Sequence, residues 1–421
     1  MRRECAAIVF VLLAGCASVK EPVLPPPPAP ELAAQPLTRA RCVELALESV
    51  PNAATWRARL ERAQAALAGA KRLPNPSLAL NFEDFGIPGI ASSAPVQTTL
   101  MLGEALADVA SRKRRTRAAE HELAAEEARL VAERDQLAAE VSAAYDELVA
   151  ARARVEIDAE LTQIAQTQQT AVARFVEVGE SPRLELEKAQ AELLDAQMQA
   201  ARDESAARAR EIELAFALGF ERPLSLALSE ELTPALAQEH EGLEAQLERA
   251  TQRSPALGAA KEDYEAALER AHLAASGVRF LPTVRAGPRT VGGDTLAVAE
   301  IETELPLFDQ RQSERSAASA ELLAAAAAVR AAAHELARSV SIASAAITAA
   351  RTRLEEQAQP LAEQRASIRA RTQQQFEAGE ASYLELVNAR RDEVQARAGV
   401  LEAQLELAHA RTELARVLGN P

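Results

Sequence analysis

The feature that most constrains this chain is an internal repeat. Gly179-Glu180-Ser181-Pro182-Arg183-Leu184-Glu185-Leu186, with Ala189 following, returns as Gly379-Glu380-Ala381-Ser382-Tyr383-Leu384-Glu385-Leu386, with Ala389 following, at an offset of 200 residues. Earlier in each half, Ala46 to Pro51 parallels Ala250 to Pro255, and Leu73-Pro74 parallels Leu281-Pro282. The second copy holds about one extra helical turn between these marks. A fixed period of this kind means that each half is one copy of a folding unit, here residues 37–220 and 221–421.

Within a unit the pattern predicts a helix, two strands, a long helix, a short turn and a second long helix. In the first copy Leu78, Leu80 and Phe82 alternate with Ser77, Ala79, Asn81 and Glu83. Val96, Thr98, Leu100 and Leu102 then alternate with Gln97 and Thr99. In the second copy Ala297, Ala299, Ile301 and Leu305 share one face, and Glu300, Glu302 and Glu304 the other, opposite a strand carrying Arg285 and Arg289. Lipid outside and water inside would explain a wall with such unlike faces. The strand pairs are joined by loops at Gly86 to Pro95 and around Gly292-Gly293. Four strands cannot close a barrel, and open edges are forbidden in hydrocarbon, so several copies must pool their strands; three copies would give twelve. The alternative is a soluble helical protein with two edge hairpins.

The helices are too long for a compact domain. From Glu104 to Ala173 there is neither Gly nor Pro, so a continuous helix would reach roughly 100 Å. Ala, Glu, Leu, Arg and Gln fill these tracts while aromatics make up only 3% of the chain, a composition of long helices. Val394, Leu401 and Ala408 recur at seven, as do Val400, Leu407 and Leu414, which keeps a seam against neighbouring helices. Small tracts such as Ala324 to Ala328 let helices approach closely. A turn at Gly179 or Gly379 suits a tight reversal, because Gly accepts positive φ, and a helix start at Ser181 or Ser382 suits a capping hydroxyl.

The N-terminus reads as an address. Arg2 and Arg3 precede an apolar stretch from Ala6 to Ala14, too short to span a bilayer and laid out as a secretory signal, residues 1–15. Leu13-Ala14-Gly15-Cys16 resembles the bacterial lipobox, in which the cysteine takes a diacylglycerol and becomes the new N-terminus. Ala17 and Ser18 follow with no Asp, which by the same analogy favours the outer membrane. Residues 16–36 form a lipidated, Pro-rich linker whose run Pro25 to Pro28 favours extended backbone. With Cys5 removed and Cys16 lipidated, only Cys42 remains in the body, so no intrachain disulfide can form. No other transmembrane helix is expected.

Several function classes are disfavoured. The formal charge of −15 argues against nucleic acid and anionic surfaces as partners, while cationic cargo stays allowed. His121, His240, His272, His334 and His409 are scattered; His334-Glu335-Leu336-Ala337-Arg338 lacks the second His of a zinc helix, and Glu239-His240-Glu241 reads as an exposed linker. No phosphate-binding Gly loop, nucleophile elbow or Cys–His pair is visible, so neither catalysis, a cofactor nor a resident metal is expected.

Taken together, the lipobox, the Pro-rich spacer, the duplicated unit, the Leu-Pro before each first strand, Leu305-Pro306-Leu307-Phe308-Asp309 after the last strand and the paired Gly-Glu turns resemble the TolC-type outer-membrane efflux protein family over nearly the whole mature chain. Gly103 to Arg117, with its Arg112-Lys113-Arg114-Arg115 run, and Gln359-Pro360-Leu361 are similar to the branch serving heavy-metal pumps of the RND type. The resemblance implies a homotrimer, mainly α, with a twelve-stranded transmembrane β-barrel continuing into a helical periplasmic tunnel. It implies a periplasmic adaptor and an inner-membrane pump as partners, with passive export of small solutes, metal cations among them, through the outer membrane. The turns at Gly179-Glu180 and Gly379-Glu380 would be the adaptor-docking tips. Glu177, Glu180, Glu185, Glu377, Glu380 and Glu385 near the tips, and Glu300, Glu302, Glu304 and Arg285 in the strands, become candidate lumen or gate charges, since rings of like charge filter ions. Solvated outer faces explain acidic residues on such helices equally well. The run Arg112 to Arg117 faces either lipid phosphates or solvent. Phe175 and Phe376 stand four and three residues before their Gly, so the first tip is expected to differ in shape. A different class, a coiled-coil lipoprotein that tethers the envelope without a pore, also fits the helices.

Overall fold

The computed structural model describes residues 35–49, 51–84, 95–229, 242–276 and 280–419. The signal, Cys16, most of the Pro-rich linker, most of the Gly86 to Pro95 loop and Glu239-His240-Glu241 lie outside the described residues.

Both halves run through one order of elements. The first comprises α1 (Arg39–Ser49), α2 (Pro51–Lys71), β1 (Ser77–Glu83), β2 (Gln97–Ala105), α3 (Leu106–Glu177) and α4 (Arg183–Ala217). The second comprises α5 (Leu243–Arg253), α6 (Pro255–Ala275), β3 (Thr283–Val291), β4 (Asp294–Glu302), α7 (Gln312–Thr352), a π-helical turn (Arg353–Ala358), α8 (Gln359–Glu377) and α9 (Tyr383–Val417). The opening helix of each unit, expected as one, is therefore two. Pro51 and Pro255 lack the N–H that a helix interior needs, so each ends one helix and opens the next. Ser254 caps α6 by accepting from the Leu257 N–H at 3.3 Å.

Helix α3 holds 72 residues, roughly 108 Å of unbroken helix. Its counterpart in the second half is interrupted. Pro360, in the first turn of α8, cannot donate to the preceding turn and crowds its carbonyls, and the chain widens into the π turn just before it. Helix α3 is the spine of the molecule and packs on α1, α2, α4, α6 and α9. The main core lies where Leu37, Cys42 and Leu45 meet Val141, Tyr145 and Leu148 of α3, Leu214 of α4, and Leu218, Phe220 and Leu226 after it. Two smaller cores repeat this packing in the second half, one around Val340 and Val417, the other around Leu354, Ala403 and Leu407.

The run Gln312–Glu377 is long and apolar enough to cross a membrane by length and composition, contrary to expectation. Its Ala tracts account for this, since they lower polarity without bulky side chains; Leu323 beside one of them is 72% exposed.

The strands form one antiparallel meander in the order β1-β2-β3-β4. Leu80 stands opposite Leu100, Leu102 opposite Ala286, and Arg285 opposite Glu300. Val291 pairs with Asp294 across Gly292 and Gly293, whose φ values of +57° and +106° make the two-residue turn that suits the twist of a hairpin.

Candidate functional site

Cross-strand partners share a face, so the register sorts every strand residue. One face carries Leu78, Leu80 and Phe82 of β1, Leu100 and Leu102 of β2, Val284, Ala286 and Pro288 of β3, and Ala297, Ala299 and Ile301 of β4. Among the described residues these side chains stand exposed, Leu78 at 63% and Ile301 at 71%. The other face carries Asn81 and Glu83, Gln97 and Thr99, Arg285 and Arg289, and Glu300 and Glu302. The alternation read from the sequence is thus realised within β4 as far as Glu302. Glu304 and Leu305 fall beyond the end of β4, so they belong to neither face; Leu305-Pro306 already turns the chain towards α7.

Arg285 lies across the polar face. Its Nη1 donates to Glu300 at 3.0 Å and to Glu302 at 2.5 Å. Gly103 on β2 leaves it room, for a Cβ there would meet Arg285 Cγ at 2.4 Å. Arg289, two same-face positions further along β3, donates from Nε to Thr99 Oγ1 at 3.0 Å and stands 3.9 Å from Glu83. Gly287 lies between them, and a Cβ on it would come within 1.9 Å of the Leu100 carbonyl oxygen. Sequence reasoning singled out Arg285 but missed the roles of Gly103, Gly287 and Thr99, which emerge only once β2 and β3 are in register.

At the far end of the helices are two turns of the same build. Gly179 and Gly379 both have φ of +80°. Gly179 N–H donates to Val176 and Glu180 N–H to Phe175; Gly379 N–H donates to Phe376 and Glu380 N–H to Gln375. Each is a Schellman closure with Gly in the left-handed position, and the backbones match residue for residue. The expected difference in shape is therefore absent, because the closure uses main-chain groups and ignores the shifted Phe. What differs is the decoration. Phe376 packs at 6.0 Å against Tyr383, where the first turn has Val176 and Arg183.

The helices leaving the turns start differently. Ser382 caps α9 in a full capping box: it accepts from the Glu385 N–H at 3.2 Å while Glu385 Oε2 accepts from the Ser382 N–H at 2.7 Å. Those bonds, the backbone one foremost, hold the Glu385 carboxyl below its usual range. In the first copy the cap is Pro182, not Ser181, and no side chain closes it. Proline's fixed φ and missing N–H suit that position, which displaces the serine from it.

Of the tip carboxylates, Glu177, Glu180, Glu377, Glu380 and Glu385 are exposed and Glu185 is half-buried. Glu185 accepts from Lys188 at 2.8 Å, and Glu377 accepts from Gln373 at 2.7 Å. The basic run of α3 meets neither of its two expected surroundings alone, since Arg114 and Arg117 both reach Glu269 of α6, at 3.2 and 3.4 Å. It is in part a seam between helices. Among the described residues no cluster of His, Cys, Asp and Glu could hold a metal ion.

A profile of the outer membrane efflux protein family matches residues 43–220 and 246–420. No curated protein sequence matches the chain. Among solved structures, the fold is similar to the outer membrane protein VceC of Vibrio cholerae, with a TM-score of 0.71 at 18% identity over 90% of this chain and 96% of that one. It is similar to the CmeC outer membrane channel of Campylobacter jejuni, with a TM-score of 0.73 at 15% identity over 91% and 85%. The open state of the MtrE outer membrane channel of Neisseria gonorrhoeae gives 0.69 at 18% identity over 90% and 88%. These likenesses fix the fold, and the two matched segments, one in each half, cover most of the sequence: the chain belongs to the outer membrane efflux protein family.

Proposed function

We propose that the chain is the outer-membrane duct of a tripartite efflux system, a homotrimer that passes small solutes, metal cations among the candidates, from an inner-membrane pump and a periplasmic adaptor to the exterior without chemistry of its own. The observation that carries this reading is the four-stranded sheet. It has an uncovered apolar face, a charged face, and edges at β1 and β4 with no further strand beside them among the described residues. In a bilayer such edges must be paired, and three copies closing head to tail give a twelve-stranded barrel with the Arg285 and Glu300 face inside.

In this reading the two repeats are residues 37–220 and 221–421, following a signal at 1–15 and a lipidated linker at 16–36 with Cys16 as the anchor. The turns at Gly179-Glu180 and Gly379-Glu380 dock an adaptor, and the pump is of the RND type. The tip carboxylates and the Glu300–Arg285–Glu302 group supply negative charge along the lumen, the latter a single unbalanced charge per copy because one guanidinium serves two carboxylates. A tethering coiled coil would need neither the apolar sheet face nor the open edges.

The full-length protein extracted in mild detergent should have the mass of three chains. A monomeric mass under conditions that preserve the helical signal would overturn the pooled barrel.

A further inference from the structure

The most unusual group in the helical part is Asp158. It lies on α3, its side chain is 2% exposed, and neither carboxylate oxygen accepts a hydrogen bond of good geometry among the described residues. Its nearest cation is Arg154, whose Nε stands 3.3 Å from Asp158 and 3.4 Å from Asp203 of α4. One guanidinium thus faces two carboxylates, and part of it is drawn away, since Arg154 Nη1 also donates to Glu402 of α9 at 3.4 Å. Asp203 has one further donor, Gln199 at 2.9 Å.

The internal repeat supplies a control. At the 200-residue offset Arg154, Asp158 and Asp203 correspond to Leu354, Ala358 and Ala403. Those three pack together in an apolar core with Leu407. The same point of the same helical hairpin is therefore apolar in one copy and in the other an acid pair, Asp158 buried and Asp203 half-buried. Burying the Asp158 carboxylate beside a second, half-buried one, with a single guanidinium between them, is costly where Ala would do, unless one of them carries a proton.

We propose that Asp158 and Asp203 share a proton across the α3–α4 seam, and that this hydrogen-bonded pair is a proton-sensitive clasp in the hairpin that carries the Gly179 turn. Protonated Asp158 donates to the Asp203 carboxylate, which fills the missing bond and leaves a single negative charge for Arg154. When the proton leaves to water, two carboxylates face each other and the seam loosens. Burial, together with Asp203, pushes the Asp158 carboxyl up to about 6, while the hydrogen bond from Asp158 holds Asp203 below its usual range. A raised folded-state pKa contributes stability at acid pH that is lost as pH rises through about 6. The surrounding charges do not remove the effect. Asp195 and Glu192 of α4 line the same groove and add negative charge, and Arg391 of α9 is taken up by Glu192 at 3.4 Å. On the other side Arg210 is held by Glu147 and Glu213, and His409 stands 3.9 Å from Glu147.

The test uses the full-length protein in detergent and does not depend on whether it conducts ions. Infrared difference spectra of the wild type should show a protonated-carboxyl band that titrates near pH 6, and D158N should lack it. In thermal unfolding, raising pH from 5 to 7.5 should lower the wild-type midpoint by about 2–4 °C more than that of D158N. In D158N the amide donates permanently to Asp203. The double variant D158A/D203A, which copies the second repeat, should be as insensitive as D158N and serves if D158N fails to fold. A carboxyl band that persists in both variants, or a wild-type pH profile no steeper than theirs, would overturn the clasp.

Discussion

At the scale of single residues the barrel wall depends on missing side chains. Gly287 is the sharpest case. Replacing it with Ala places a methyl 1.9 Å from the Leu100 carbonyl oxygen, a fixed main-chain atom, so β2 and β3 must separate locally. Gly287→Ala should destabilise the protein by about 1–3 kcal/mol, read as a lower thermal midpoint, and should reduce the yield of assembled oligomer. An unchanged midpoint would mean that the two strands do not run this close. The turn glycines were legible in the sequence because the repeat sets Gly179 and Gly379 each before a Glu and five residues ahead of the same Leu-Glu-Leu. Gly103 and Gly287 were not, since their purpose is set by a neighbour nearly 200 positions away in the chain. Asp158 lay in between: comparing its position with Ala358 at the repeat offset would have exposed it, but only contact with Asp203 shows what the substitution does.

At the scale of elements, the strands were legible from their two-residue alternation and α3 from its freedom from Gly and Pro. The interruptions were less so. Pro51 and Pro255 split the leading helices by removing a donor, and the π turn before Pro360 arises from a clash that leaves no periodicity to detect. Helix starts were half legible. Ser382 is a cap because Glu385 reciprocates three residues on, whereas Ser181 precedes a proline that takes the position itself. This gives the two hairpins unequal ends. The Glu385 carboxyl is held low by its bonds to Ser382, so its contribution is present above the ordinary value of 4.5 and is lost as pH falls below it. Ser382→Ala should abolish that acid dependence and increase hydrogen exchange in the first turn of α9, leaving the start of α4 unaffected. Equal exchange at both helix starts in the wild type would contradict the assignment.

At the scale of the whole molecule the protomer is visibly incomplete. Its sheet exposes Leu78, Leu80, Phe82 and Ile301 on one face, and α7 exposes Leu323 and its neighbouring alanines. Such surfaces need lipid or another copy against them. That incompleteness was the most legible property of the sequence, because four alternating segments fall short of a barrel whatever their detailed geometry. The cargo was not legible, and the sheet explains why: Arg285 divides itself between Glu300 and Glu302, so that group keeps one unbalanced negative charge per copy, which favours cations over anions but does not choose among cations. Whether several copies enclose a water-filled path is read from single-channel recording of the purified full-length protein in planar bilayers. Discrete conductance steps, made larger or more frequent by neutralising Glu177, Glu180, Glu377 and Glu380 at the tips, are the predicted result. Bilayers that take up the protein yet stay silent, with the tip carboxylates intact or neutralised, would contradict an enclosed path.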